Sequence, residues 1–97
     1  MVISIAIFPF NREMEETARK GLEKNLDWGK SQAGHIKSFL AQPRDGTNRY
    51  LVYSEWEKEE DFDAVRRILM KRSMKELEEF MEWMDGEPVY GSFQKIS

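Results

Sequence analysis

The segment VISIAIF, Val2 to Phe8, is short, rich in β-branched residues and apolar on both of its alternating faces. A strand with one wet face alternates apolar with polar residues, and a strand covered on both sides does not. This segment therefore predicts a central strand in a sheet covered twice. The rest of the chain, or a partner, has to supply the two covers. Pro9 ends the strand, because proline has no N–H to offer the ladder.

Helical spacing follows. Asn11 stands as an N-cap, and Glu13, Glu15 and Glu16 sit where the helix dipole favours negative charge. Met14, Ala18, Leu22 and Leu26 recur every four residues as one apolar stripe. Gly29 and Ser31 weaken the helix, which is expected to end between Trp28 and Gly34. Partial alternation from His35 to Gln42 predicts a second strand. PRDGTN, Pro43 to Asn48, is turn chemistry, with Asp45-Gly46 at its tip. Tyr50 to Trp56 forms a third strand, so Arg49 to Trp56 pairs back on His35 to Gln42 as a hairpin.

Phe62, Val65, Ile68 and Leu69 restore helical spacing behind the acids Glu57, Glu59, Glu60 and Asp61, which suit a helix start. Ser73 and Glu76 form a capping box. They place a break near Lys71 and a further helix to Met84, with Met74, Leu77, Phe80, Met81, Trp83 and Met84 as its apolar face. Asp85-Gly86 stops that helix, and Val89 to Ile96 is a last strand.

The order β-α-β-β-α-α-β predicts one α+β domain over residues 1–97 with a ferredoxin-like, four-stranded antiparallel sheet. Strands one and three lie in the middle, and the helices cover one face. The other face needs a partner, and a second copy of the chain answers that need. The sequence leaves open whether Ile3, Ile5 and Ile7 or Val2, Ala6 and Phe8 meet that partner.

Composition removes several function classes. The chain has no cysteine, which excludes thiolate chemistry and Cys-based metal sites. A single histidine cannot build a His-rich metal site. The net charge is -3 with both signs interleaved, so no basic face draws the chain to nucleic acid. The apolar start lacks a basic n-region and is too short to span a bilayer, which points to a cytoplasmic protein with no membrane partner.

The stretch GHIKSFLAQPRDGTNRYLVYSEWEKEEDFDAV resembles the middle of the antibiotic biosynthesis monooxygenase family. The family pattern opens strand two with glycine, here Gly34. A turn follows, here Asp45-Gly46, then a strand ending in tryptophan, here Trp56, and an aromatic on the next helix, here Phe62. The resemblance implies a dimeric α+β barrel, with a pocket in each subunit between its own sheet and helices. It implies either cofactor-free oxygenation of phenolic, anthrone or quinol substrates, or haem degradation. Many members have no assigned reaction.

The family's substrate-binding asparagine, four residues before the tryptophan, is Val52 here, and its tyrosine six residues after is Phe62. Haem-degrading members need an axial histidine on the helical segment, which this chain lacks beyond His35. Their tryptophan position is Val65, and their strand-one asparagine falls near Ala6. The expectation is therefore no haem and no other cofactor.

Two residues are candidates for catalysis. His35 is the one side chain whose ordinary pKa suits a general base near neutrality, or else it simply sits at the start of strand two, solvated or bonded to backbone. Trp56 lines the pocket by family analogy, or else plugs the joint between strand and helix. Ser4, Ala6, Tyr50, Val52, Ser54, Phe62 and Val65 are expected to line a substrate site, with Tyr53 turned to the barrel side. Ser4 and Ala6 are small enough either to leave a cavity, walled by Met14, Met70, Met74, Met81 and Met84, or to make room for Trp28, Trp56 or Trp83. The function these readings converge on is a cofactor-independent monooxygenase of a small aromatic or quinol-like molecule. The alternative is a homodimeric binding module for a small hydrophobic ligand.

Overall fold

A computed structural model describes residues 1–97. Strand β1 (Val2–Pro9) lies at the centre, as its two apolar faces require. It runs antiparallel to β3 (Arg49–Trp56), from Val2 opposite Trp56 to Pro9 opposite Arg49. On its other side it pairs with β4 (Val89–Gln94), and β2 (His35–Ala41) closes the far edge against β3. The strand order is β2-β3-β1-β4, an antiparallel α+β sheet of the ferredoxin-like kind. Three helices complete it: α1 (Glu15–Lys30), α2 (Glu59–Met70) and α3 (Met74–Trp83).

Local chemistry explains the boundaries. Asn11 caps a 3-10 turn (Arg12–Met14) that leads into α1, and its Oδ1 accepts the Glu13 N–H at 3.1 Å. The Ser73 capping box closes as expected: Ser73 Oγ accepts the Glu76 N–H at 3.2 Å and donates to the Glu76 carboxylate at 3.3 Å. At the hairpin tip Asp45 Oδ1 accepts the Thr47 N–H at 3.0 Å, and Gly46 takes φ +80°. The last strand stops at Gln94, short of the expected Ile96.

Strand parity, open in the sequence, is now decided. Val2, Ala6 and Phe8 are buried on the helix side, together with Tyr50 and Trp56 from β3. Ile3, Ile5 and Ile7 point the other way. Their cross-strand partners there are Glu55, Tyr53 and Leu51 on β3, and Phe93, Gly91 and Val89 on β4. Phe39 of β2 stacks on Tyr53 on the same face, with ring centroids 4.8 Å apart. No helix covers this surface, and Phe93 is 54% exposed.

One expectation fails. Met70, Met74 and Met81 are exposed, and none of them lines either of the two main clefts. A helix on one side of a sheet buries a single stripe; α3 and its C-cap spend theirs on Phe80, Trp83 and Met84, which pack on the core around Phe8 and Phe10, leaving Met74 and Met81 outside, while α2, which ends at Met70, buries Val65 instead. Trp83 presses on Gly21 of α1, where a β-carbon would overlap the indole ring.

Candidate active site

The helix-facing side of the sheet carries two separate apolar clusters. One gathers Ala6, Phe8, Phe10, Ala18, Leu22 and Tyr50, with Leu40 and Val52 packed against it. The other gathers Val2, Trp56 and Val65, with Trp28, Phe62 and Leu69 alongside. Between them the sheet turns polar. Ser38 lies opposite Ser54, Ser54 opposite Ser4, and Ser4 opposite Ser92. A row of serine hydroxyls thus crosses all four strands, and strand spacing of about 4.8 Å separates neighbours in it.

His35 stands at the end of this row that lies on β2. Its ring meets Trp56 edge to face, with centroids 5.2 Å apart. Its Nε2 lies 2.9 Å from Ser38 Oγ. Residues three apart on a regular strand point to opposite faces. Here the register shifts between His35 and Lys37, so Ile36 is the extra residue of a β-bulge. The bulge restores parity and brings His35 and Ser38 onto the same face. Burial, and then the nearby Lys30 ammonium, hold the imidazole below its ordinary pKa. That shift favours the neutral ring, which keeps one nitrogen lone pair, as a general base must.

Trp56 has both of its expected roles available. It is 3% exposed and packs on Val65 and Phe62, which makes it the plug at the joint between β3 and α2. Its Nε1–H donates to Ser54 Oγ at 3.0 Å, so it also anchors one serine of the row. Gly34, just before His35, takes φ +80° and lies so close under the Asp61 side chain that a β-carbon would overlap it.

The other expected site residues divide. Ser4 and Ser54 are half-buried on the floor between the clusters, Val52 is half-buried against the first cluster, and Phe62 flanks Trp56 with ring centroids 6.3 Å apart. Ala6 and Val65 are buried within the two clusters. Tyr50 is 2% exposed, stacks on Phe10 at 4.5 Å, and donates its hydroxyl to the Glu15 carboxylate. That hydrogen bond, then burial, then the Glu15 charge raise its pKa above the ordinary 10.0. Tyr53 faces the uncovered side, as expected, and donates to Glu55 at 2.8 Å.

Ser38 and Ser92 escaped the sequence reading. A signal for Ser38 exists: Ser38 and Ser54 are mirror positions about Gly46 in the hairpin. The bulge at Ile36 has no comparable signature. Two open clefts lie away from the row's centre. One runs past Val2, Phe62, Arg66 and Phe93, the other lies between the start of α1 and the residues Gln42 and Tyr50, and neither contains His35, Trp56 or Ser54.

Comparison with known proteins agrees with this architecture. The sequence profile of antibiotic biosynthesis monooxygenases matches residues 1–68, the span holding His35, Trp56 and Val65. The chain belongs to the antibiotic biosynthesis monooxygenase family. No curated protein matches the sequence. Among solved structures, a candidate antibiotic biosynthesis monooxygenase from Nitrosomonas europaea is 14% identical with TM-score 0.81, and the match covers 100% of both chains. A conserved protein from Methanosarcina mazei Go1 is 17% identical with TM-score 0.82, covering 98% of this chain and 92% of that one. SnoaB, a cofactor-independent oxygenase from Streptomyces nogalater, is 13% identical with TM-score 0.78, covering 99% and 93%. At these identities the likeness is one of fold. No helix is long and apolar enough to cross a membrane.

Proposed function

We propose that this chain is a cofactor-independent monooxygenase of a small aromatic or quinol-like substrate, acting as one domain over residues 1–97. The observation that carries the reading is His35. It is a neutral imidazole held against Trp56 at the edge of a hydroxyl floor, between two apolar clusters that suit a flat ring. In the reaction, His35 takes a proton from the substrate, and the resulting carbanion or enolate reduces O₂. A carbon–oxygen bond forms to one oxygen atom, and the outer oxygen of the peroxide takes the proton back from the His35 imidazolium. The hydroperoxide then breaks its O–O bond, leaving a carbonyl on the substrate and releasing the other oxygen as water. Dioxygen is the oxidant, and the substrate supplies all the electrons. Family membership and the fold shared with SnoaB support this reading.

Val52 and Phe62 favour a second reading. Neither side chain can hydrogen-bond a substrate, which suits a binding module for a small hydrophobic ligand that performs no chemistry. An oxygen electrode separates the two. With a reduced naphthoquinol or an anthrone and no metal or flavin added, the enzyme consumes oxygen above a buffer blank, and His35→Ala slows that excess. Equal rates for blank, parent and variant across several such substrates leave the binding module.

Under either reading the working unit is a homodimer. The surface of Ile3, Ile5, Ile7, Leu51, Tyr53 and Phe39 has no cover within the chain, and only 10 of 97 residues are buried, which leaves a thin core for a lone subunit.

A further inference from the structure

We propose that Ser38 is a catalytic residue that relays a proton to His35: its hydroxyl donates to Nε2, fixes the ring as the Nδ1–H tautomer, and stands between the imidazole and a ligand on the serine row. This inference rests on the monooxygenase reading for its chemical consequence, and on geometry alone for the tautomer.

Four residues stand in two neighbouring cross-strand pairs. His35 pairs with Trp56 across the β2–β3 ladder, and Ser38 pairs with Ser54. Along the strands, His35 Nε2 meets Ser38 Oγ at 2.9 Å, and Trp56 Nε1 meets Ser54 Oγ at 3.0 Å. Indole N–H is a donor only, so Ser54 is the acceptor of that bond. Ser38 has one O–H to place, and the imidazole is the one side-chain partner it meets. A neutral ring offers one lone pair and one N–H. When Nε2 accepts from Ser38, the ring proton sits on Nδ1. The charge felt by the ring is the Lys30 ammonium at the end of α1, and Asp61 of α2 lies over the neighbouring Gly34. The ammonium opposes protonation of the ring, so the lone pair persists.

The bulge at Ile36 is what makes the bond reachable, since without it Ser38 and His35 would face opposite sides of the sheet. The bond in turn occupies Nε2. A substrate on the row reaches that lone pair through the serine hydroxyl. The substrate O–H or activated C–H gives its proton to Ser38 Oγ as the Ser38 proton moves to Nε2. One imidazolium and one substrate anion result, and the serine is unchanged.

His35 is the chain's single histidine, so its ring nitrogens give unambiguous NMR signals. Long-range ¹H–¹⁵N correlation on the ligand-free protein, at a pH where the ring is neutral, reads the tautomer directly. The expected result is a protonated Nδ1 and a hydrogen-bonded, unprotonated Nε2. Ser38→Ala should move the ring toward the Nε2–H form, and Ser38→Thr should restore the parent pattern. An Nε2–H ring in the parent, or the same tautomer in parent and Ser38→Ala, overturns the proposal. With a substrate that the parent oxidises, Ser38→Ala should lose about 10²-fold in kcat at nearly constant KM, and Ser38→Thr should recover most of it. Unchanged kcat in Ser38→Ala overturns the relay. If the parent oxidises nothing, the monooxygenase reading fails, and the tautomer measurement still upholds or overturns the placement of Ser38.

Discussion

Tyr50→Phe tests whether a family-suggested pocket residue serves the ligand or the fold. The ring stays, stacked on Phe10 at 4.5 Å, and only the hydroxyl that donates to Glu15 is lost. A hydrogen bond to a charged group contributes about 1.5–3 kcal/mol. Glu15 is half-buried and can regain water, so the low end, about 1.5 kcal/mol, is expected. For a domain this size, with a total of roughly 5–15 kcal/mol, that lowers Tm by about 6–12 °C. Glu15→Gln and the double variant complete a cycle, and the two single losses should not add. The pH profile supplies an independent check. The folded-state pKa of Tyr50 is raised, so the unfolded chain gives up this proton first. The stability from the bond is full below about pH 10 and drains away as pH rises through the folded value. Tyr50→Phe should flatten that alkaline slope. Thermal and urea unfolding read all of this. An unchanged Tm with a large rise in KM would refute the structural role and return Tyr50 to the ligand.

Three further outcomes are expected. Ile5→Lys puts a charge at the centre of the uncovered face. Sedimentation equilibrium and circular dichroism should show the dimer lost together with cooperative folding, and a parent that is a folded monomer at low micromolar concentration refutes the dimer. Gly34→Ala should cost about 1–2 kcal/mol for the left-handed backbone at φ +80°. Asp61→Ala in that background should recover only the steric part of the loss, and an unchanged unfolding midpoint in Gly34→Ala refutes the assignment. Hemin titration should give no Soret band saturating at one equivalent per chain, because the single histidine lies on β2 and Val65 is buried behind Trp56. A sharp band saturating at that ratio would refute this.

Local pattern alone determined the element order. Val2 to Phe8 reads as a doubly covered strand because alternation is a property of neighbouring residues, and Ser73-x-x-Glu76 caps a helix because all its hydrogen bonds close within one turn. Asp45-Gly46 marks the hairpin for the same reason. The placement of Trp56 at a strand–helix joint was legible too, since size and position suffice for a plug.

What the tertiary structure decided depends on pairing with distant residues. The side of the sheet that Ile3, Ile5 and Ile7 occupy, the partnership of Tyr50 with Glu15, and the alignment of Ser4, Ser38, Ser54 and Ser92 into one row all follow from strand register and helix docking. A slip of one residue would send each of those side chains to the other face. The bulge at Ile36 is such a slip, confined to one position of β2. It turns His35 from a residue at the start of a strand into the neighbour of Ser38, because the extra residue finds no partner on β3 and the chain recovers its parity only beyond it.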